Sequence, residues 1–150
     1  MKTILYSFLL VFLSFPLTGN AQQSVANQLI GTWVFNYESS FSKMKTQTKA
    51  HYDSIPMDRK TKIENAYRGR TIAFKKDGSF TQTLSDGRTS LGTWAYNKET
   101  NNIEITSPKG RVYYQKVKKL TVTTVVLKPK SIGKGEMMIS EMHFTKIKKN

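Results

Sequence analysis

From Leu29 the chain reads Leu29-Ile30-Gly31-Thr32-Trp33-Val34-Phe35-Asn36-Tyr37, and the shape of what comes after it follows from that segment. Trp33, Phe35 and Tyr37 fall on one face and Thr32, Val34 and Asn36 on the other, the period of two of a strand with one buried side. Gly31 leaves space into which a large ring or a neighbouring backbone can pack. Gly-x-Trp followed by alternation is a way of opening a small antiparallel barrel.

The alternation returns downstream. Residues 71–76 and 79–85 flank Asp77-Gly78, a strong hairpin signal because glycine accepts positive φ in a tight turn. Asp86-Gly87 marks a second reversal before a strand over residues 89–97. Further strands are expected over 103–106, 111–118, 121–128 and 136–148, with Lys119-Leu120 as a short connection and residues 129–135 as a loop. With the first, that makes eight at the even spacing of a sandwich or barrel. Eight antiparallel strands can close around an interior that side chains fill or that holds one small ligand. The expectation is an all-β, eight-stranded antiparallel up-and-down barrel in residues 22–150, with a helical insertion over residues 38–69 between its first two strands.

In that insertion the period lengthens. Phe41, Met44, Thr48, His51 and Tyr52 share one face of a helix capped by Ser39 or Ser40. Pro56 then suits the first turn of a second helix, with Asp58 near its positive end, Ile63, Ala66 and Tyr67 packing together, and Gly69 ending it. A connection of about thirty residues is unusually long. It serves either as a lid, with Phe41, Met44, Tyr52 and Tyr67 at an entrance, or as a cap that extends the core. Before the first strand, Val25 to Leu29 suits one helical turn over an end of the barrel.

Gly31-Thr32-Trp33, the Phe74 to Phe80 hairpin, a second Gly92-Thr93-Trp94, Ile103-Glu104-Ile105 and Phe144-Thr145-Lys146 together resemble, in order and spacing, the bacterial lipocalin-like domains of the calycin group. The resemblance spans residues 29–149 and rests on fold-forming positions. It implies a calyx for a small hydrophobic or amphipathic molecule, with the helical connection at its open mouth. It also implies Trp33 at the closed end beneath a basic residue of the last strand, Lys146 or Lys148, in a cation–π contact. The family's Arg is Lys here, and its Thr-Asp-Tyr motif is replaced by Val117-Lys118-Lys119-Leu120-Thr121.

Residues 1–21 read as a secretory signal: Lys2, an apolar run from Ile4 to Phe15, and the small-residue site Gly19-Asn20-Ala21. The run is shorter than the ~20 residues that cross a bilayer, so no membrane span is expected. Without cysteine there is neither a disulfide nor a lipid-bearing N-terminal cysteine. A periplasmic or secreted protein is expected. The formal charge of +14 suits an anionic envelope surface, a glycan or lipid headgroup, or simply a solvated lysine-rich rim. Eleven of the basic residues fall from Lys109 onward, against Glu136 and Glu141. Export and the opposite facing of Tyr113 and Tyr114 disfavour nucleic acid as a partner.

Two histidines, His51 and His143, give no metal-ligand set, and no cofactor is expected. His143 is expected on the exposed face of its strand. His51 has Asp53 near it on the first helix, but neither a nucleophile elbow nor a paired-carboxylate signature accompanies them. The expectation is a protein without catalytic residues. Candidate ligand-binding residues are Trp33, Phe35, Phe74, Phe80, Tyr96, Tyr114, Met138 and Met142 from the strands, with Phe41, Met44 and Tyr52 from the insertion. Trp94 and Phe144 join the strand residues in the expected core. Whether these side chains meet at the centre or line a hollow decides between a solid barrel and a container.

Overall fold

A computed structural model describes residues 24–131 and 138–148. The expected leader, Gln22, Gln23, residues 132–137 and the last two residues lie outside the described residues, and with them the start proposed for the last strand. Eight strands pair in chain order and close into one antiparallel barrel. They are β1 (Gly31–Phe35), β2 (Thr71–Phe74), β3 (Ser79–Thr83), β4 (Thr89–Asn97), β5 (Asn102–Thr106), β6 (Val112–Leu120), β7 (Thr124–Pro129) and β8 (Met142–Lys146). Closure is made by β8 on β1, through Trp33↔Lys146, Val34↔Thr145 and Phe35↔Phe144. Closing the sheet removes the open edges that would template aggregation.

The alternation that begins at Trp33 runs round the wall. Trp33, Phe35, Ile72, Phe74, Phe80, Ile103, Ile105, Val117, Val125, Leu127, Met142 and Phe144 are buried in one core. Each such side chain stabilises by roughly 1.5–3 kcal/mol on leaving water. Trp94 and Tyr96 pack against this core while half-buried. Gly92 is required by space: a Cβ there would stand 2.5 Å from the backbone oxygen of Thr106.

One end is plugged. Helix α1 (Val25–Leu29), capped by Ser24, lies against β4 and β6 and seats Leu29 with no exposure. The Trp33 indole N–H donates to the Leu29 oxygen at 2.8 Å. Lys146 lies with Nζ 4.8 Å from the Trp33 ring centroid and donates to the Gln28 oxygen at 2.8 Å. Of the two lysines named for this role, Lys146 takes it.

At the other end sits the insertion, in three helices: α2 (Tyr37–Phe41), α3 (Thr46–Ser54) and α4 (Met57–Tyr67). The first strand stops at Phe35, and Tyr37 is helical rather than on the strand face with Trp33. The cause is Asn36, whose side chain accepts the Ser39 N–H at 2.9 Å and caps α2. Ser39 and Ser40 are therefore inside the first helix and do not cap it. Ser40, 1% exposed, donates to the Asn36 oxygen and accepts the His143 N–H, which ties α2 to β8. Pro56 occupies the N-cap of α4, and Gly69 at φ +77° follows its end.

Two boundaries differ through turn chemistry. β6 continues through Lys119-Leu120, and the reversal falls at Thr121, whose Oγ1 accepts the N–H groups of Thr123 and Thr124. A bulge lies between Val117 and Lys119. It changes the phase of β6, so that Leu120 packs on the core while upstream the odd positions Tyr113, Gln115 and Val117 face in. Tyr114, expected inside, pairs with Glu104 on the other face, and Tyr113 takes the inward place opposite Ile105.

Candidate functional site

A cavity of about 790 Å³ opens at the end of the barrel where the insertion joins it. Phe80, Ile105 and Met142 line it from β3, β5 and β8, and Tyr67 contributes from the last turn of α4. Below this level the barrel is filled: Phe74 stands 5.5 Å from Phe80 and 5.0 Å from Trp94, ring centroid to centroid. The molecule is thus solid at the α1 end and hollow at the insertion end.

The hollow end has a polar side as well. Gln82 follows Phe80 on the inner face of β3 and pairs across with Ser90 of β4. Gln115 lines it from β6, and its buried Oε1 lacks a hydrogen-bond donor. Arg70, half-buried between α4 and β2, is also in the lining. Its Nε and Nη2 donate to the Ala66 oxygen at 3.2 and 3.0 Å, and its guanidinium carbon lies 4.3 Å from the Tyr67 ring centroid. Burial pulls the Arg70 pKa below the usual arginine value. Lys109, Arg111 and Lys130, all exposed, complete the charged lining, and no carboxylate is among the described lining residues.

Tyrosine and phenylalanine rings hold the insertion together and join it to β1. Tyr67 stands 5.5 Å from Phe35 and 6.1 Å from Phe41, whose ring stacks on Tyr37 at 3.9 Å and meets Tyr52 edge-on at 5.4 Å. The Tyr37 and Tyr52 hydroxyls are 3.2 Å apart, and Tyr52 donates to Glu64 at 3.2 Å. Burial and the Tyr52 hydroxyl raise the Tyr37 pKa. Ser85 in the β3–β4 turn donates to the Asn65 oxygen of α4 at 2.6 Å, a second tie between helix and barrel.

Of the eleven candidate ligand residues, Phe80, Tyr114 and Met142 line the cavity. Trp33 belongs to the plugged end, Phe35 and Phe74 to the filled core, and Tyr96 bonds Asn101 from its hydroxyl at 2.8 Å. Phe41 and Tyr52 pack the helices together, Met44 sits between α2 and α3, and Met138 lies half-buried ahead of β8. Tyr113 and Tyr114 are both about a third exposed, at 36% and 38%, because they stand at the rim. The polar wall was missed: Arg70, Gln82 and Gln115 occupy inward positions two residues from Ile72, Phe80 and Val117, and carrying the alternation past the apolar residues would have found them.

One histidine also differs from expectation. His143 is half-buried, with Nε2 buried and without a hydrogen-bond partner; burial and the charges of Lys43 and Lys119 lower its pKa. His51 is exposed, and the Asp53 carboxylate accepts from Lys49 at 2.8 Å instead of orienting the imidazole. Among the described residues, no group of three or more His, Cys, Asp or Glu could hold a metal, and no helix is long and apolar enough to cross a membrane.

Fold and cavity together define a class: a closed eight-stranded up-and-down antiparallel barrel, plugged at one end and hollow at the other beside a helical insertion. No protein-family model and no curated protein matches the chain. Among solved structures it is similar to a DUF4847 family protein from Bacteroides vulgatus, at 20% identity, covering 81% of this chain and 96% of that one with a TM-score of 0.44. The barrel assignment rests on the strand pairing and not on that likeness.

Proposed function

We propose that this chain is an exported, non-enzymatic barrel of the lipocalin-like kind that binds one small hydrophobic or amphipathic molecule in the mouth cavity. The observation that supports it best is the cavity's size together with its two-sided lining, apolar at Phe80, Ile105 and Met142 and polar at Gln82 and Gln115. Ligand sites of ~300–1,000 Å³ commonly combine an apolar wall with a few polar groups that fix orientation. The insertion acts as a lid, since α3 and α4 bury no residue of their own and hang on the barrel through a few side chains. Titration with a neutral apolar fluorescent probe tests the reading. Wild-type protein is expected to bind it, and Gln82→Trp, which fills the hollow from a half-buried position, is expected to abolish binding with the fold retained; no binding to wild type contradicts the proposal.

The exposed cations Lys109, Arg111 and Lys130 around the same mouth favour a second reading, docking on anionic envelope glycans or lipids. That reading predicts retention on heparin or lipopolysaccharide that falls steeply with salt, because exposed charges are screened.

A further inference from the structure

We infer that the molecule held in the mouth cavity is an anion: a single-chain amphiphile whose carboxylate or phosphate head sits on Arg70 and whose tail lies against Phe80, Ile105 and Met142. This rests on the binding role proposed above and specifies its ligand class. Arg70 directly follows Gly69, where α4 has ended, and directly precedes β2, so the alternation Arg70, Ile72, Phe74 turns it inward. Its bonds to the Ala66 oxygen and its stacking on Tyr67 fix the plane of the guanidinium. They use two of the five N–H groups that an arginine carries.

Among the described residues no carboxylate pairs with Arg70; the acids that form ion pairs, Asp53, Glu38 and Asp86, are engaged by Lys49, Arg68 and Arg88. A half-buried charge of one sign calls for a partner of the other. The flat fork presents its remaining N–H groups in the geometry that oxygen anions accept from two sides. A neutral lipid would leave this charge uncompensated, and a cation would meet repulsion from Arg70 and from the rim. Lys109, Arg111 and Lys130 strengthen the preference by raising the local concentration of anions.

Displacement of neutral Nile red from the protein by dodecanoate, by dodecyl phosphate and by the methyl ester of dodecanoic acid, all below their micelle concentrations, tests the inference. At least one of the two anions is expected to displace the probe roughly tenfold more tightly than the ester. Arg70→Gln is expected to remove that preference while Nile red still binds, and Arg70→Lys to restore part of it, which separates a lost contact from a lost fold. Neutralising the rim in Lys109→Gln with Arg111→Gln is expected to remove only a smaller, salt-sensitive part. Equal displacement by anions and ester, or a rim effect as large as that of Arg70→Gln, overturns the anion assignment and leaves the binding role standing. Binding to anionic vesicles with no displacement by the monomeric anions also overturns it. Failure of Nile red and all three ligands overturns the binding role itself.

Discussion

At Trp33 three contacts meet: its indole N–H on the Leu29 oxygen, the Lys146 ammonium over its ring, and Leu29 packed as its neighbour in the core. Lys146 serves two of the plug's surfaces, because it also donates to the Gln28 oxygen. Lys146→Met keeps the stem and removes the charge, so a loss of about 1–2 kcal/mol is expected from the ring contact and the charged hydrogen bond. Urea unfolding followed by tryptophan fluorescence measures it. Gly92 and Gly87 make a contrasting pair. Gly92→Ala drives a Cβ against the fixed Thr106 oxygen, and a loss of about 2–3 kcal/mol is expected from overpacking. At Gly87 nothing lies within 4 Å, so Gly87→Ala strains only the φ of +82° and is expected to lose about 1 kcal/mol. His143 supplies a pH dependence. Its folded pKa lies below the ordinary 6.5 because burial disfavours the imidazolium. The unfolded chain therefore binds the proton first, and the stability held above pH 6.5 is lost as the pH falls through that value and below. Denaturation midpoints at pH 7.5 and 5.0 are expected to differ less in His143→Gln than in wild type.

Among the elements, the insertion contrasts with the barrel beneath it. α2 is fixed to β8 by the buried Ser40 hydroxyl, whereas α3 and α4 contain no buried residue and attach through Tyr52, Tyr67 and the Ser85 to Asn65 bond. Local opening follows the density of buried apolar contacts. Amide hydrogen exchange is expected to proceed through lower-energy openings in α3 and α4 than in β1, β5 and β7; equal protection throughout would contradict the idea of a movable lid. α4 was legible from a proline and a glycine and lies where Pro56 and Gly69 put it; the change of period showed a helix over Phe41 to Tyr52 but not its break between Phe41 and Thr46, which leaves Met44 outside α2 and α3. The start of α2 was not legible, because a strand reading carried Tyr37 with Trp33 and Phe35 and overlooked the cap offered by Asn36. In β6 the expectation set Tyr114 inside, whereas Tyr113, Gln115 and Val117 form the inward row opposite Ile105, Ile103 and Leu127; two adjacent tyrosines do not by themselves say which of them faces in.

The whole molecule is a can with two unlike ends. Its closure was legible in the sequence because glycine-containing turns and alternating apolar residues repeat down the chain, and one inward row is enough to fix strand register. Which end is hollow was not legible. Large apolar residues were placed inside without regard to height along the strand, so Trp33, Phe74 and Tyr96 were grouped with Phe80 and Met142 although only the last two reach the cavity. The residues that give the cavity its chemistry, Arg70, Gln82 and Gln115, are polar, and a search for buried apolar positions passes over them. The proposed container is tested most directly by titrating isotope-labelled protein with Nile red and mapping the backbone amide shifts. Saturable changes gathered at Tyr67, Arg70, Gln82, Ile105 and Gln115, with β1 and α1 unmoved, are the predicted result; small shifts spread over exposed lysines, or none, would contradict it.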